Sequence, residues 1–226
     1  MSDERDLAKV RNAALLLSGL AWLWMFVEGS AGHAHTHALH YRSMLPQVAV
    51  NWVIMLAGMM TPVLISPIGH LRACCLARRR ARATALFIVA YGAVWTAFAG
   101  LLLAVGVGLG VPSIVVVFAA VIWQCSPWKQ ACLNRCHTVP GLGAFGVRAD
   151  LDALRYGCEF AFWCAGSCWV WMVLPMLLPS GHSAAMALAA VLMICERLEH
   201  PQRQRWRFRF PRNMVRIATA LLPVSR

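Results

Sequence analysis

Apolar residues run along this chain in six long blocks, at 12–28, 45–69, 84–107, 111–126, 157–178 and 182–196. Short polar or arginine-rich segments separate them. A helical bilayer crossing takes about 20 consecutive apolar residues, so the pattern predicts an all-α, polytopic transmembrane bundle of six spans. The segments at 106–112 and 179–183 are short and rich in Gly, Pro and Ser, which makes spans three with four, and five with six, antiparallel hairpins. Span four is expected to continue with a kink at Pro127, which has no backbone donor to give. The stretch 127–156, with its breakers Pro140, Gly141, Gly143 and Gly146, reads as a loop. The first block has the basic head and small-residue exit of a signal peptide. Acidic residues in the head, together with Trp22, Trp24 and Met25 in the block, favour a retained helix.

Composition agrees with that class, since 60% of the 226 residues are hydrophobic and 13% charged, against roughly a quarter charged in a soluble domain. The net charge of +12 raises the question of nucleic acid, and the placement of the charge answers it. Of 21 Lys and Arg residues, Arg42 alone falls in a predicted outside loop. The basic excess is therefore a topology signal of the positive-inside kind, and nucleic-acid binding is excluded. The expected setting is a bacterial inner membrane with both termini cytoplasmic and a basic tail at 197–226. That tail interleaves Trp206, Phe208 and Phe210 with arginines, a composition suited to an anionic leaflet or to plain solvation.

Nine cysteines on a chain whose loops face the cytoplasm do not predict a disulfide framework. Their spacing carries more information. Cys132 and Cys136 are four apart, as are Cys164 and Cys168, and on a helix this places each pair on one face. Cys125 joins the first face if the helix continues through Pro127. Because span four descends and span five ascends, both pairs are expected at the same depth near the cytoplasmic leaflet, converging on one site. Met55, Met59 and Met60 of span two approach the same half of the membrane, with Met172 on span five. Thiolates and thioethers are soft donors suited to Cu(I), with zinc or iron–sulfur chemistry as alternatives. Against this stands the ordinary role of buried Cys and Met as packing residues. Glu196 is a candidate ligand, or a partner for Lys129, because ionisable groups at span ends are candidates for function. On the opposite side, His33, His35, His37 and His40 form a tract able to capture divalent metal weakly.

The blocks Trp52, Met55, Ala57, Met59, Met60 and Pro62, then Gln124, Pro127, Lys129, Cys132, Leu133 and Cys136, are followed by Gly157, Cys164, Gly166, Cys168, Trp169 and Met172, with Gly181, Met186 and Glu196 beyond. In these the chain resembles the predicted metal-binding integral membrane proteins of bacteria, a family without an assigned function. It departs from that pattern at Gly58, where the family has alanine, and at Ser167, where the family has a second adjacent cysteine. The resemblance implies a helical membrane fold and a metal role.

The expectation is thus an integral membrane protein that handles a soft transition metal, most simply copper, with zinc second. Cys132, Cys136, Cys164 and Cys168 would be the main ligands, with Met55, Met59, Met60, Met172 and Glu196 in support. Its partners would be the lipid bilayer and a membrane complex or metal-delivery protein. Two alternatives stand beside it, a thiol- or quinone-linked membrane oxidoreductase and a structural or assembly subunit. The absence of a Cys-x-x-Cys spacing weighs against the first.

Overall fold

A computed structural model describes residues 2–30, 41–108, 110, 112–143, 145–178 and 181–207. Over these the chain is helical and carries no strand. Seven α-helices succeed one another: α1 (Ser2–Ser30), α2 (Tyr41–Cys74), α3 (Arg80–Gly108), α4 (Ser113–Cys125), α5 (Pro127–Arg135), α6 (Gly146–Val173) and α7 (His182–Arg197). Four segments are long and apolar enough to cross a membrane, at Asp6–Glu28, Ala49–Cys74, Ala77–Leu102 and Gly146–Leu177. The other two of the six expected spans are shorter helices among the described residues. With 13 and 16 residues, α4 and α7 fall short of the ~20 residues of a full crossing.

Two further boundaries differ from expectation, for local reasons. Pro127 does not kink a continuous helix. It ends α4 at Cys125, because the residue before a proline is pushed towards extended backbone, and Ser126 sits at φ −75°, ψ 150°. Ser126 then starts a new helix: its side chain accepts a hydrogen bond from the Lys129 amide, with Pro127 in the first turn, where its missing N–H costs nothing. Cys125 therefore does not share a helix face with Cys132. The supposed loop 127–156 is largely helical, since α5 occupies its beginning and α6 starts at Gly146, eleven residues ahead of the expected 157.

The chain forms two compact units, Met1–Gly69 and His70–Arg226. In the first, α1 and α2 run antiparallel. Ser18 Oγ donates to the Gly58 carbonyl at 2.7 Å, and Leu7 lies against Gly69. Met55, Met59 and Met60 are buried on α2.

The second unit is organised around α6, which packs against α3, α5 and α7. Its contact with α3 is close at Gly157, where a Cβ would stand 2.6 Å from the Phe87 carbonyl oxygen. Beyond that point Phe87, Tyr91, Tyr156 and Phe160 interleave between the two helices, with ring centroids 5.2–6.3 Å apart. Aromatic pairs at such distances add to the packing energy of their buried area. At the start of α3, Arg79 and Arg82 both pair with Asp150 of α6 at 2.8 Å. After α7 the chain turns back over α5: Asn134 and Gln202 exchange hydrogen bonds, Asn134 Nδ2 to the Gln202 carbonyl at 2.8 Å and the Gln202 amide to Asn134 Oδ1 at 3.1 Å. The Arg207 amide donates to the Cys125 carbonyl at 3.1 Å.

Candidate metal centre

Cys164, Cys168 and Met172 succeed one another at intervals of four on α6, so they form one stripe of its surface. All three are buried. The Cys164 and Cys168 sulfurs are 3.8 Å apart, and the Cys168 thiol donates to the Cys164 carbonyl at 2.7 Å. Tyr91, reaching across from α3, places its hydroxyl 3.4 Å from the Cys164 sulfur.

The second cysteine pair arrives on α5. A Cβ on Gly166 would stand 2.7 Å from the Cys132 sulfur, so the glycine is what lets α5 seat this cysteine directly on α6. Cys136, one turn on, closes the end of α5, its amide donating to the Cys132 carbonyl at 3.1 Å. It lies within electrostatic range of Cys132 and Cys164. Burial pushes the Cys136 thiol up to about 12, against the opposing pull of Arg197, and burial raises the Cys132 thiol as well.

Arg197, the last residue of α7, extends into the middle of this group. It donates to Ser167 Oγ at 3.3 Å, and its charge acts on the Cys136 and Cys164 thiols. The face of its guanidinium lies over Phe160, 5.5 Å from the ring centroid. Ser167 in turn donates to the Cys164 carbonyl at 2.8 Å.

Glu196, adjacent in sequence, leaves α7 in another direction and meets a different set. Lys129 Nζ pairs with its Oε1 at 2.6 Å, and both side chains are almost completely buried. Gln124 Nε2 donates to the same oxygen at 2.7 Å, and Trp171 Nε1 to Oε2 at 2.9 Å. Both carboxylate oxygens are thus engaged by protein donors. Beside them is a cavity of about 20 Å³ whose lining includes Gln130, Asn134, His137 and His200, room for about one water molecule.

Of the residues expected to form a site, Cys132, Cys136, Cys164 and Cys168 are brought to the α5–α6 contact, with Met172 on the same stripe. Among the described residues, no three His, Cys, Asp or Glu side chains are grouped to hold a metal ion. Of the expected ligands, Cys164 and Cys168 bring their sulfurs to 3.8 Å, and outside that set His70 Nε2 lies 3.6 Å from the Cys74 sulfur. Met55, Met59 and Met60 belong to the first unit, and His33, His35, His37 and His40 lie outside the described residues. Tyr91 and Arg197 were missing from the expected set. A tyrosine inside an apolar block is a recognisable signal. Arg197 gave none, because it opens a tail already rich in arginine.

A family model described as PpoB2, copper chaperone, matches residues 49–220, which takes in the cysteines, Arg197 and the Lys129–Glu196 pair. No curated protein and no solved structure matches the chain.

Proposed function

The chain belongs to the copper chaperone family PpoB2, and from that premise we propose that it is a membrane protein that carries Cu(I) as cargo on Cys164 and Cys168. The observation that supports this most directly is their 3.8 Å sulfur separation on one buried face. Two metal–sulfur bonds of ~2.3 Å reach across at most ~4.6 Å, so one ion fits between them with little movement. Zinc almost always takes four ligands in a structural site, whereas soft, monovalent Cu(I) accepts two sulfurs, and thiolates favour it over harder ions.

Cys132 and Cys136 are the receiving pair in this reading, Cys132 being seated against Gly166 of α6. Met172, one turn beyond Cys168, supplies a weaker thioether donor, and Met55, Met59 and Met60 offer thioethers of their own within the first unit. The histidine tract 33–40 serves as an accessory site for metal capture. Glu196 acts by holding Lys129, and through it α5, rather than as a ligand.

The membrane is the bacterial inner membrane, and the arginines at 72–82, at 135–155 and after α7 mark its cytoplasmic side. In that arrangement α4 and α7, although short, return the chain to the basic side. The exposed apolar faces of α3 and α4, with Val89, Ile114, Phe118 and Ile122 outward, suit lipid contact, since soluble proteins seldom leave such contiguous apolar surface open. A metal-delivery partner or a membrane complex receives the ion.

Metal analysis of the purified full chain after loading with Cu(I) tests the reading. Wild type should hold about one copper more than the Cys164→Ala/Cys168→Ala variant, the difference expected of a single site. Equal copper in the two proteins would remove these cysteines from the function.

A further inference from the structure

Arg197 is a cation placed among thiols. Its guanidinium donates to the Ser167 hydroxyl at 3.3 Å and lies over the Phe160 ring, Ser167 itself being bonded to the Cys164 carbonyl, so its charge reaches the neighbouring thiols. Among the described residues no carboxylate pairs with it, and the neighbouring Glu196 is taken up by Lys129, Gln124 and Trp171. A guanidinium keeps its charge at any physiological pH, and a charge withdrawn from water without a counter-charge is costly. The cluster therefore carries a positive charge that the bound state has to balance.

We propose that Arg197 makes this site selective for a monovalent cation. Resting on the reading of Cys164 and Cys168 as the copper pair, the argument is a charge count. Loading releases the two thiol protons to water and leaves two thiolates. One Cu(I) between them gives a complex with a single negative charge, which Arg197 neutralises. A divalent ion at the same two sulfurs gives a neutral complex and leaves the guanidinium uncompensated. Neutrality with a divalent ion requires a third thiolate, and among the described residues no three such donors are grouped for a metal. At short range in a half-buried site, one unit of charge shifts relative affinity.

The geometry makes Arg197 a positioning and selecting residue, not a ligand. Its planar fork reaches from the end of α7 to Ser167 on α6, so it ties α7 to the helix that carries Cys164 and Cys168. The hydrogen bond to Ser167 and the stacking on Phe160 fix the plane of that fork.

The test uses the purified full chain in detergent, with Cu(I) affinity measured against a chromophoric Cu(I) chelator and Zn(II) affinity against a zinc dye. Arg197→Gln should weaken Cu(I) binding about 10- to 100-fold, the usual effect of losing a partner of a ligand, and leave Zn(II) binding unchanged or stronger. Arg197→Met, which keeps the apolar stem, should do the same and carries the test where the glutamine variant does not fold. Arg197→Lys should recover most of the Cu(I) preference. A Cu(I)-to-Zn(II) ratio within about twofold of wild type in folded Gln and Met variants would overturn the proposal. So would an equal loss for both metals, or a lysine variant that behaves like glutamine. Wild type that binds no more Cu(I) than Cys164→Ser/Cys168→Ser would instead defeat the copper reading itself, and the selectivity proposal with it.

Discussion

Glu196 and Arg197 leave the end of α7 about 100° apart around the helix axis, and each joins a polar group of its own, Glu196 buried and Arg197 half-buried. For Glu196 the energetics are set by its neighbours. Lys129 is held at 2.6 Å and its ammonium lies 5.5 Å from the centroid of Trp171. Removing one partner of a buried ion pair strands the other charge, at a cost of ~3–5 kcal/mol. Lys129→Met should therefore lower the stability of the folded chain by about that amount, read as a fall in the thermal midpoint followed by circular dichroism in detergent. The double variant Lys129→Met/Glu196→Met should recover most of the loss, because the unpaired carboxylate goes too. A single variant as stable as wild type would mean the pair is open to water. The sequence singled out Lys129 and Glu196 from their places at predicted span ends. Arg197 resembles its neighbours in composition, and only the fold distinguishes an arginine among thiols from one in solvent.

At the scale of elements, the cysteine spacing was legible and the helix ends were not. Cys164 and Cys168 lie on one face of α6, because four residues make nearly one turn whatever the surroundings. Where α5 begins depended on competition at Ser126 and Pro127. Hydropathy treats the 111–126 block and the residues after it as one descending segment, yet a side-chain cap and a proline together favour a fresh start over a kink. The early start of α6 was hidden for a related reason. Residues 146–156 carry Arg148, Asp150, Asp152 and Arg155, which lower the mean hydropathy without lowering helix propensity much. Packing then depends on small residues at the contacts. Gly157→Ala should push α3 and α6 apart at Phe87, and the strain of fitting a methyl group into a packed contact is about 1–3 kcal/mol. Resistance of the purified protein to unfolding by SDS measures it. Unchanged resistance would show that the backbone yields freely at this crossing.

At the scale of the whole molecule, four helices among the described residues are long enough to cross a membrane, while the proposed topology has six passages. The two are compatible if α4 and α7 return the chain to the basic side with help from the residues at their ends. At 1.5 Å per residue a helix of 13 residues rises roughly 20 Å, short of a hydrocarbon layer about 30 Å thick. Topology reporters decide the matter. Fusions after Ala81, Gly146 and Arg216 should report cytoplasm, and fusions after His37 and Gly181 periplasm. A periplasmic signal after Gly146 would mean that α4 does not return the chain, and it would put the arginines of α6 on the wrong side. Synthesis supplies the members of the thiol group in a fixed order. Tyr91 and the four cysteines are all made before Arg197, the last of the group to leave the ribosome. Until α7 is made, a nascent chain has these thiols without the guanidinium. If Arg197 selects the ion as proposed, that selection belongs to the finished chain, after α7 has been made.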